Sequence, residues 1–356
     1  MAAAPIAELG FLEETEAWRL VSSQFPSKCG GRPAWLGEAG VPGPTEIQCG
    51  VCGKPLVFLL QVYAPCPGSF HRTIFIFCCR DAKCHGAGEN RCFKVFRNQL
   101  PRRNDTYSYN PPPENAPPDG ATCPSFQLKC GTRLCRVCGC LGPQKCSRCH
   151  NVNYCSKEHQ LMDWKVQHKN VCSEHFDPSS IVLADHKILF PEYEIITEPE
   201  ELESDSASLE EDNEAGGEKD ISVLEETFNG ATLNEKELEA MARHESKEDA
   251  VFNNFKKRIA AEPEQILRYC KGGDPLWISA QNVPKQNDIP NCLCGAKRIF
   301  EFQVMPQLLN HLQVDSLTES IDWGTLAIFT CSDNCNAEKQ YLIEFLWKQD
   351  VVDSAT

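Results

Sequence analysis

The 356-residue sequence predicts an α+β protein dominated by β structure: a bipartite, pseudo-symmetric domain built from an internal repeat, interrupted by a cysteine-rich insertion and an acidic segment expected to be disordered. Three observations predict this. Gly31-Arg-Pro-Ala-Trp35 returns as Gly273-Asp-Pro-Leu-Trp277, a Cys-Gly follows each Trp by seventeen residues at Cys52 and Cys294, and a Gln-Val begins nine residues further on at Gln61 and Gln303. Features recurring in register mark a duplicated unit. Short runs rich in Phe, Ile and Val, separated by Gly and Pro, have the character of strands. Between Cys135 and Cys172, eight of the cysteine and histidine side chains fall into four spaced pairs.

Residues 1–109 read as the first half of the β domain, with strand-like runs at Ile74-Phe-Ile-Phe-Cys-Cys79 and Val95-Phe-Arg-Asn-Gln99. Residues 269–356 read as the second, with Leu326-Ala-Ile-Phe-Thr-Cys331 and Leu346-Trp-Lys-Gln349 in the matching places. Two such halves can pair as mostly antiparallel sheet about a pseudo-twofold axis. The competing arrangement is two separate domains of about 80 residues, viable but marginal in core size. Residues 110–130 form a linker, since Asn110 to Asp119 contains five prolines and should be extended.

The segment 131–175 writes Cys135-x2-Cys138, Cys146-x2-Cys149, Cys155-x3-His159 and His168-x3-Cys172. Zinc takes four tetrahedral sulfur or nitrogen ligands, so four pairs supply two closed sites. Loops this short bury too little apolar surface to fold without metal, and a closed site leaves no position for a reacting water. The zinc is therefore structural. Unliganded reduced cysteines are the plain alternative. A disulfide framework would need an oxidising compartment, whereas Met1–Gly10 has no basic region followed by an apolar core, and no run approaches a membrane span. The thiols are expected to be reduced or metal-bound, in cytoplasm and nucleus, with no membrane partner.

The stretch CRVCGCLGPQKCSRCHNVNYCSKEHQLMDWKVQHKNVC resembles a MYND-type zinc finger. The resemblance implies interleaved pairing, with Cys135, Cys138, Cys155 and His159 on one zinc and Cys146, Cys149, His168 and Cys172 on the other. It also implies capture of short, often proline-containing peptides. His159 stands where that family generally has cysteine, leaving its site one negative charge poorer. Tyr154 and Trp164 either line a peptide groove or pack the small core. One group of these fingers accompanies a methyltransferase domain, but no Gly-rich cofactor loop, phosphate cradle or nucleophile elbow stands elsewhere in the sequence, which argues against an enzyme.

Residues 176–232 read as an acidic linker. From Glu192 to Glu226 fifteen Asp or Glu face one Lys, a net of −14 in a chain whose total is −15. Such a segment is solvated and repels phosphate. It is either a solubilising linker or a tether for a basic client. Residues 233–268 read as helical: Leu238, Met241, Val251, Phe252, Phe255 and Ile259 give one apolar face at the later end, and Glu262-Pro-Glu-Gln-Ile-Leu-Arg-Tyr269 is expected to restart the helix after Pro263.

Each half also carries a knuckle-like cysteine pair and a later pair: Cys49, Cys52, Cys79 and Cys84, then Cys292, Cys294, Cys331 and Cys335. The spacings do not repeat cleanly, and both two further structural zinc ions and buried free thiols remain open; Cys78 is an alternative to Cys79. Cys29, Cys66, Cys92, Cys123, Cys130, Cys140 and Cys270 have no partner that spacing identifies.

Beyond the finger, FPSKCGGRPAWLG, FLLQVYAP, VFRNQLPR, EPEQILRY, IPNCLCGAKRIFEFQVMPQLL and IDWGTLAIFTC resemble the programmed cell death protein 2 family nearly end to end. The resemblance implies a β domain that escorts a newly made, basic small-subunit ribosomal protein in ribosome biogenesis and cell proliferation. The alternative it carries is a nuclear regulator of apoptosis that binds corepressors or DNA through the finger. The finger itself has six Lys or Arg against Glu158 and Asp163 from Leu134 to Cys172, and two zinc sites of three thiolates and one histidine each lower that +4 to about +2. Arg97, Arg102 and Arg103 are the remaining basic cluster, either a nucleic-acid patch or a solvated edge. DNA binding rests on clustered cations, so it is the weaker expectation.

Overall fold

The computed structural model describes residues 6–67, 70–116, 126–173, 184–201, 250–314, 320–336 and 340–351. Ten strands close an antiparallel barrel in the order β1-β8-β2-β3-β4-β5-β12-β11-β10-β9, with β9 returning to β1. In chain order these are β1 (Glu8–Glu13), β2 (Lys28–Cys29), β3 (Val57–Tyr63), β4 (His71–Cys78), β5 (Phe93–Leu100), β8 (Tyr193–Pro199), β9 (Leu267–Tyr269), β10 (Arg298–Val304), β11 (Thr325–Cys331) and β12 (Tyr341–Gln349). Strands from both sides of the finger thus share one sheet. One seam joins β5 to β12, from Tyr341 opposite Asn98 to Glu344 opposite Val95. Few helices are present among the described residues, so the α+β class fits loosely and the architecture is β-rich.

Full closure leaves no unpaired sheet edge. β4 and β11 are buried at every position, because one face fills the barrel and the other lies under covering chain; such strands read as continuous apolar runs rather than alternating ones. Two details recur in β3 and β10. Each is bulged, between Phe58 and Leu60 and between Phe300 and Phe302. Each also carries a buried glutamine that clamps the preceding loop: Gln61 Oε1 accepts from the Ala34 amide at 2.9 Å, and Gln303 Oε1 from the Leu276 amide at 2.6 Å.

Buried ion pairs cross the barrel. Arg72 on β4 donates to Glu301 on β10 at 2.7 Å, although these strands are not neighbours, and both side chains are fully buried. Burial pushes the Glu301 carboxyl up, but the hydrogen bonds and charge of Arg72 outweigh it and hold that group below the ordinary carboxylate value. Glu344 is shared between Arg97 at 2.7 Å and Arg298 at 2.8 Å.

Several expectations change. Tyr193–Pro199, read as acidic linker, is strand β8, which pairs with both β1 and β2; its charge masked Ile195, which is buried. The remainder of the acidic segment from 202, like the helical positions Leu238 and Met241, lies outside the described residues. Helix is present over 250–260, where Phe255 and Ile259 pack on Ile278 and Met305, while Phe252 is exposed. The helix does not restart after Pro263: Leu267–Tyr269 is β9, hydrogen-bonded to β1 and β10. Arg97 is fully buried on Glu344, so it forms no patch with Arg102 and Arg103. Trp35 is buried but Trp277 only partly so, because the finger covers the first and not the second. No helix among the described residues is long and apolar enough to cross a membrane.

Candidate metal centres

The finger is built from a short hairpin, β6 (Gln144–Lys145) with β7 (Asn153–Tyr154), followed by α1 (Lys157–Asp163), a π-helical turn over Trp164–His168 and α2 (Lys169–Val171). Cys146 and Cys149 sit in the hairpin turn, which His150 closes in the left-handed region at φ 57°. Ser156 caps α1 by accepting the His159 amide at 3.2 Å. This fixes the turn that carries His159, and the π-helical turn carries His168; such turns recur at functional positions.

Cys135, Cys138, Cys155 and His159 have ligand atoms within 4.8 Å of one another, as do Cys146, Cys149, His168 and Cys172, and all eight are buried. In the first group Cys138 and Cys155 sulfurs are 3.6 Å apart and Cys135 lies 3.7 Å from His159 Nδ1. In the second, Cys146 and Cys172 sulfurs are 3.8 Å apart and Cys149 lies 3.5 Å from His168 Nε2. Zinc–sulfur bonds of about 2.3 Å in a tetrahedron require edges of about 3.8 Å. The donor sets therefore suit zinc. Burial opposes ionisation of Cys135, yet hydrogen bonds with Cys138, Cys155 and His159 hold it well below the ordinary thiol value, while Cys138, bonded to Cys135, is pushed well up. A shared cation removes that conflict, since bound thiols are deprotonated.

Asp163 holds the finger's core. It accepts from the Tyr154 hydroxyl at 2.7 Å and lies 2.9 Å from His186 Nε2 and 3.3 Å from Arg136 Nε. Burial pushes its carboxyl up, but the His186 and Tyr154 hydrogen bonds and the Arg136 charge bring it below its ordinary value. Tyr154 is fully buried, so it is core rather than groove, while Trp164 is partly buried against the His168 ring. Sequence reasoning missed His186, which fell inside the segment read as disordered. The exposed apolar side chains of the finger helix are Leu161 and Val166.

The finger seats on the first half of the barrel. The Trp35 indole N–H donates to the Gly139 carbonyl at 2.8 Å, Arg32 donates to the Arg136 carbonyl at 3.1 Å, and the Cys130 amide donates to Glu38 at 2.7 Å. Gly139 takes φ 72°, and a Cβ there would lie 2.8 Å from the Arg32 side chain. Backbone freedom and close approach both demand glycine.

Eight cysteines outside the finger also gather in fours, Cys49 with Cys52, Cys79 and Cys84, and Cys292 with Cys294, Cys331 and Cys335. Cys79 rather than Cys78 joins its group; Cys78 is fully buried on β4, and that burial pushes its thiol up. Cys29, Cys66, Cys92, Cys130, Cys140 and Cys270 stand outside all four groups, and Cys123 lies outside the described residues.

The pattern for the N-terminal domain of programmed cell death protein 2 matches residues 6–114, that for its C-terminal putative domain residues 249–350, and that for the MYND finger residues 135–172. Programmed cell death protein 2 of Bos taurus is 54% identical over 352 residues, covering 98% of each chain. Programmed cell death protein 2-like of Homo sapiens is 29% identical, covering 87% of this chain and 85% of its own. The probable 20S rRNA accumulation protein 4 of Schizosaccharomyces pombe is 32% identical over 111 residues, 28% of this chain and 27% of its own. No solved structure matches.

Proposed function

The chain belongs to the programmed cell death protein 2 family, and from that premise we propose that it is a non-enzymatic, zinc-stabilised interaction protein that escorts a newly made, basic small-subunit ribosomal protein during ribosome biogenesis. The finger, with one zinc in each of its two clusters, recruits a second partner through a peptide motif. The observation that carries the interaction reading is the finger itself: its eight donors form two closed, buried sets, and its helix presents Leu161 and Val166 outward. Closed sites shape a surface rather than activate water.

Support for the client comes from two sides. The fission-yeast relative is named for 20S rRNA accumulation. Acidic residues concentrated between Glu192 and Glu226 suit a basic client whose phosphate partners are not yet available, and they repel nucleic acid. On this proposal the β domain is a duplication about a pseudo-twofold axis, supported by the matching bulges and glutamine clamps of β3 and β10, with the finger inserted between the halves. The protein works in cytoplasm and nucleus.

The second reading, a nuclear regulator that recruits corepressors, draws on the same exposed helix face. Direct DNA binding is weaker, because the burial of Arg97 removes one member of the basic cluster. Affinity purification of the full chain from nuclease-treated cytosol separates the readings. Co-purification of one basic small-subunit ribosomal protein is expected. Recovery of corepressors from nuclei alone, or a salt-sensitive shift of duplex DNA at physiological ionic strength, would sink the escort reading.

A further inference from the structure

We propose that the barrel holds two structural zinc ions of its own, one in each half, ligated by Cys49, Cys52, Cys79 and Cys84 and by Cys292, Cys294, Cys331 and Cys335. Four sulfurs stand within 4.8 Å of one another in each group. Across the groups Cys52 and Cys79 are 3.7 Å apart, Cys292 and Cys335 3.5 Å, and Cys294 and Cys331 3.6 Å. These separations match the 3.6 and 3.8 Å sulfur pairs of the finger and approach the tetrahedral edge of about 3.8 Å that zinc thiolates require.

The unequal spacing of the first pairs, two intervening residues against one, disappears in three dimensions. Cys49 N–H donates to the Lys54 carbonyl at 2.9 Å, and Cys292 N–H donates to the Ala296 carbonyl at 2.8 Å, so each pair sits in one closed turn. Each turn has a glycine straight after its second cysteine, Gly53 at φ 71° and Gly295 at φ 90°, whose amide returns to the first cysteine's carbonyl. Only the turn length differs by a residue. Amides also point at the sulfurs: Val51 donates to Cys49 Sγ and Asp81 to Cys79 Sγ, each at 3.4 Å. Hydrogen bonds of this kind stabilise a thiolate rather than a thiol.

Val57 faces Cys78 at the start of β3 and the end of β4, and Arg298 faces Cys331 at the start of β10 and the end of β11. Each ion therefore ties the turn entering the first strand of a hairpin to the chain leaving the second. Cys52 and Cys294 are exposed, where burial gives cysteine no reason to be present. Four thiolates leave a zinc site with net charge −2; in the second half the buried Arg97 guanidinium lies 3.7 Å from Cys335 Sγ and offsets it. Soft sulfur ligands in a tetrahedron also suit iron, and metal identity is one arm of the test.

Metal per chain, counted by native mass spectrometry and elemental analysis of the full-length protein purified without added metal, should be four zinc. Two zinc, or two zinc with two iron, would overturn the assignment. Cys79→Ser and Cys331→Ser should each lower the count by one in the soluble fraction, and Cys78→Ser and Cys140→Ala should leave it at four. Should the ligand variants not fold, cobalt substitution of the unmodified chain decides: thiolate-to-cobalt absorption proportional to fourteen sulfurs supports the proposal, and proportional to six refutes it. The count is independent of any client, so it can fail while the escort reading stands.

Discussion

Replacing Trp35 by alanine should destabilise the protein far more than replacing Trp277. Trp35 is 2% exposed, stands with its ring 5.1 Å from Phe75 and edge-on to Tyr341 at 5.3 Å, and donates to the finger at Gly139. Its removal deletes a buried area of about 200 Å² at roughly 25 cal/mol per Å², within the range of about 3 to 5 kcal/mol measured for buried aromatic truncations. The lost indole hydrogen bond adds about 1 kcal/mol. We expect about 5 to 6 kcal/mol for Trp35→Ala and about 2 kcal/mol for the partly exposed Trp277→Ala. Urea unfolding in zinc-containing buffer, followed by far-ultraviolet circular dichroism, measures both, and limited proteolysis should show the finger cut first in Trp35→Ala. Losses equal within about 1 kcal/mol, or a finger no more accessible in Trp35→Ala than in Trp277→Ala, would refute the claim that the finger is seated on the first half through this ring.

Glu301→Gln should cost about 3 to 5 kcal/mol, because it strips a buried Arg72 of its counter-charge; chemical denaturation reads this directly. The same pair sets a pH dependence. Glu301 is held below its ordinary value of 4.5 in the folded state, so its contribution is complete above that value and lost as the pH falls through the depressed one. The stability difference between the unmodified chain and Glu301→Gln should therefore be flat near neutrality and shrink below about pH 4.5, as acid-unfolding curves would show. Cys149→Ser should unfold the finger and release its zinc. Because Trp35 then loses its cover, the tryptophan emission should shift to the red while the barrel's circular dichroism persists. His186→Ala should loosen the finger without changing its zinc count, since His186 touches Asp163 rather than a metal-ligand position.

The finger was legible in the sequence because its ligands are local: every pair lies within five residues and a single short segment carries all eight. Eight cysteines outside the finger were legible as two groups of four, but their unequal spacing left metal and free thiols equally open. Their turns differ by one residue, and only the shared hydrogen-bond frame of Cys49–Lys54 and Cys292–Ala296 makes them alike. β8 and β9 were hidden for opposite reasons. Tyr193–Pro199 is acidic enough to read as solvated chain, and 262–269 contains good helix formers, yet both complete a sheet whose other strands lie far away in sequence. Tertiary pairing overrides local propensity in such closing strands. Arg97 looked like a surface cation because Glu344, its partner, is 247 residues away.

The escort reading is tested most directly by native mass spectrometry of the full chain drawn from nuclease-treated cytosol. It predicts a complex of one chain with one basic small-subunit ribosomal protein, intact without nucleic acid. A chain recovered alone from cytosol, with DNA or corepressor subunits bound only in nuclear fractions, would contradict it.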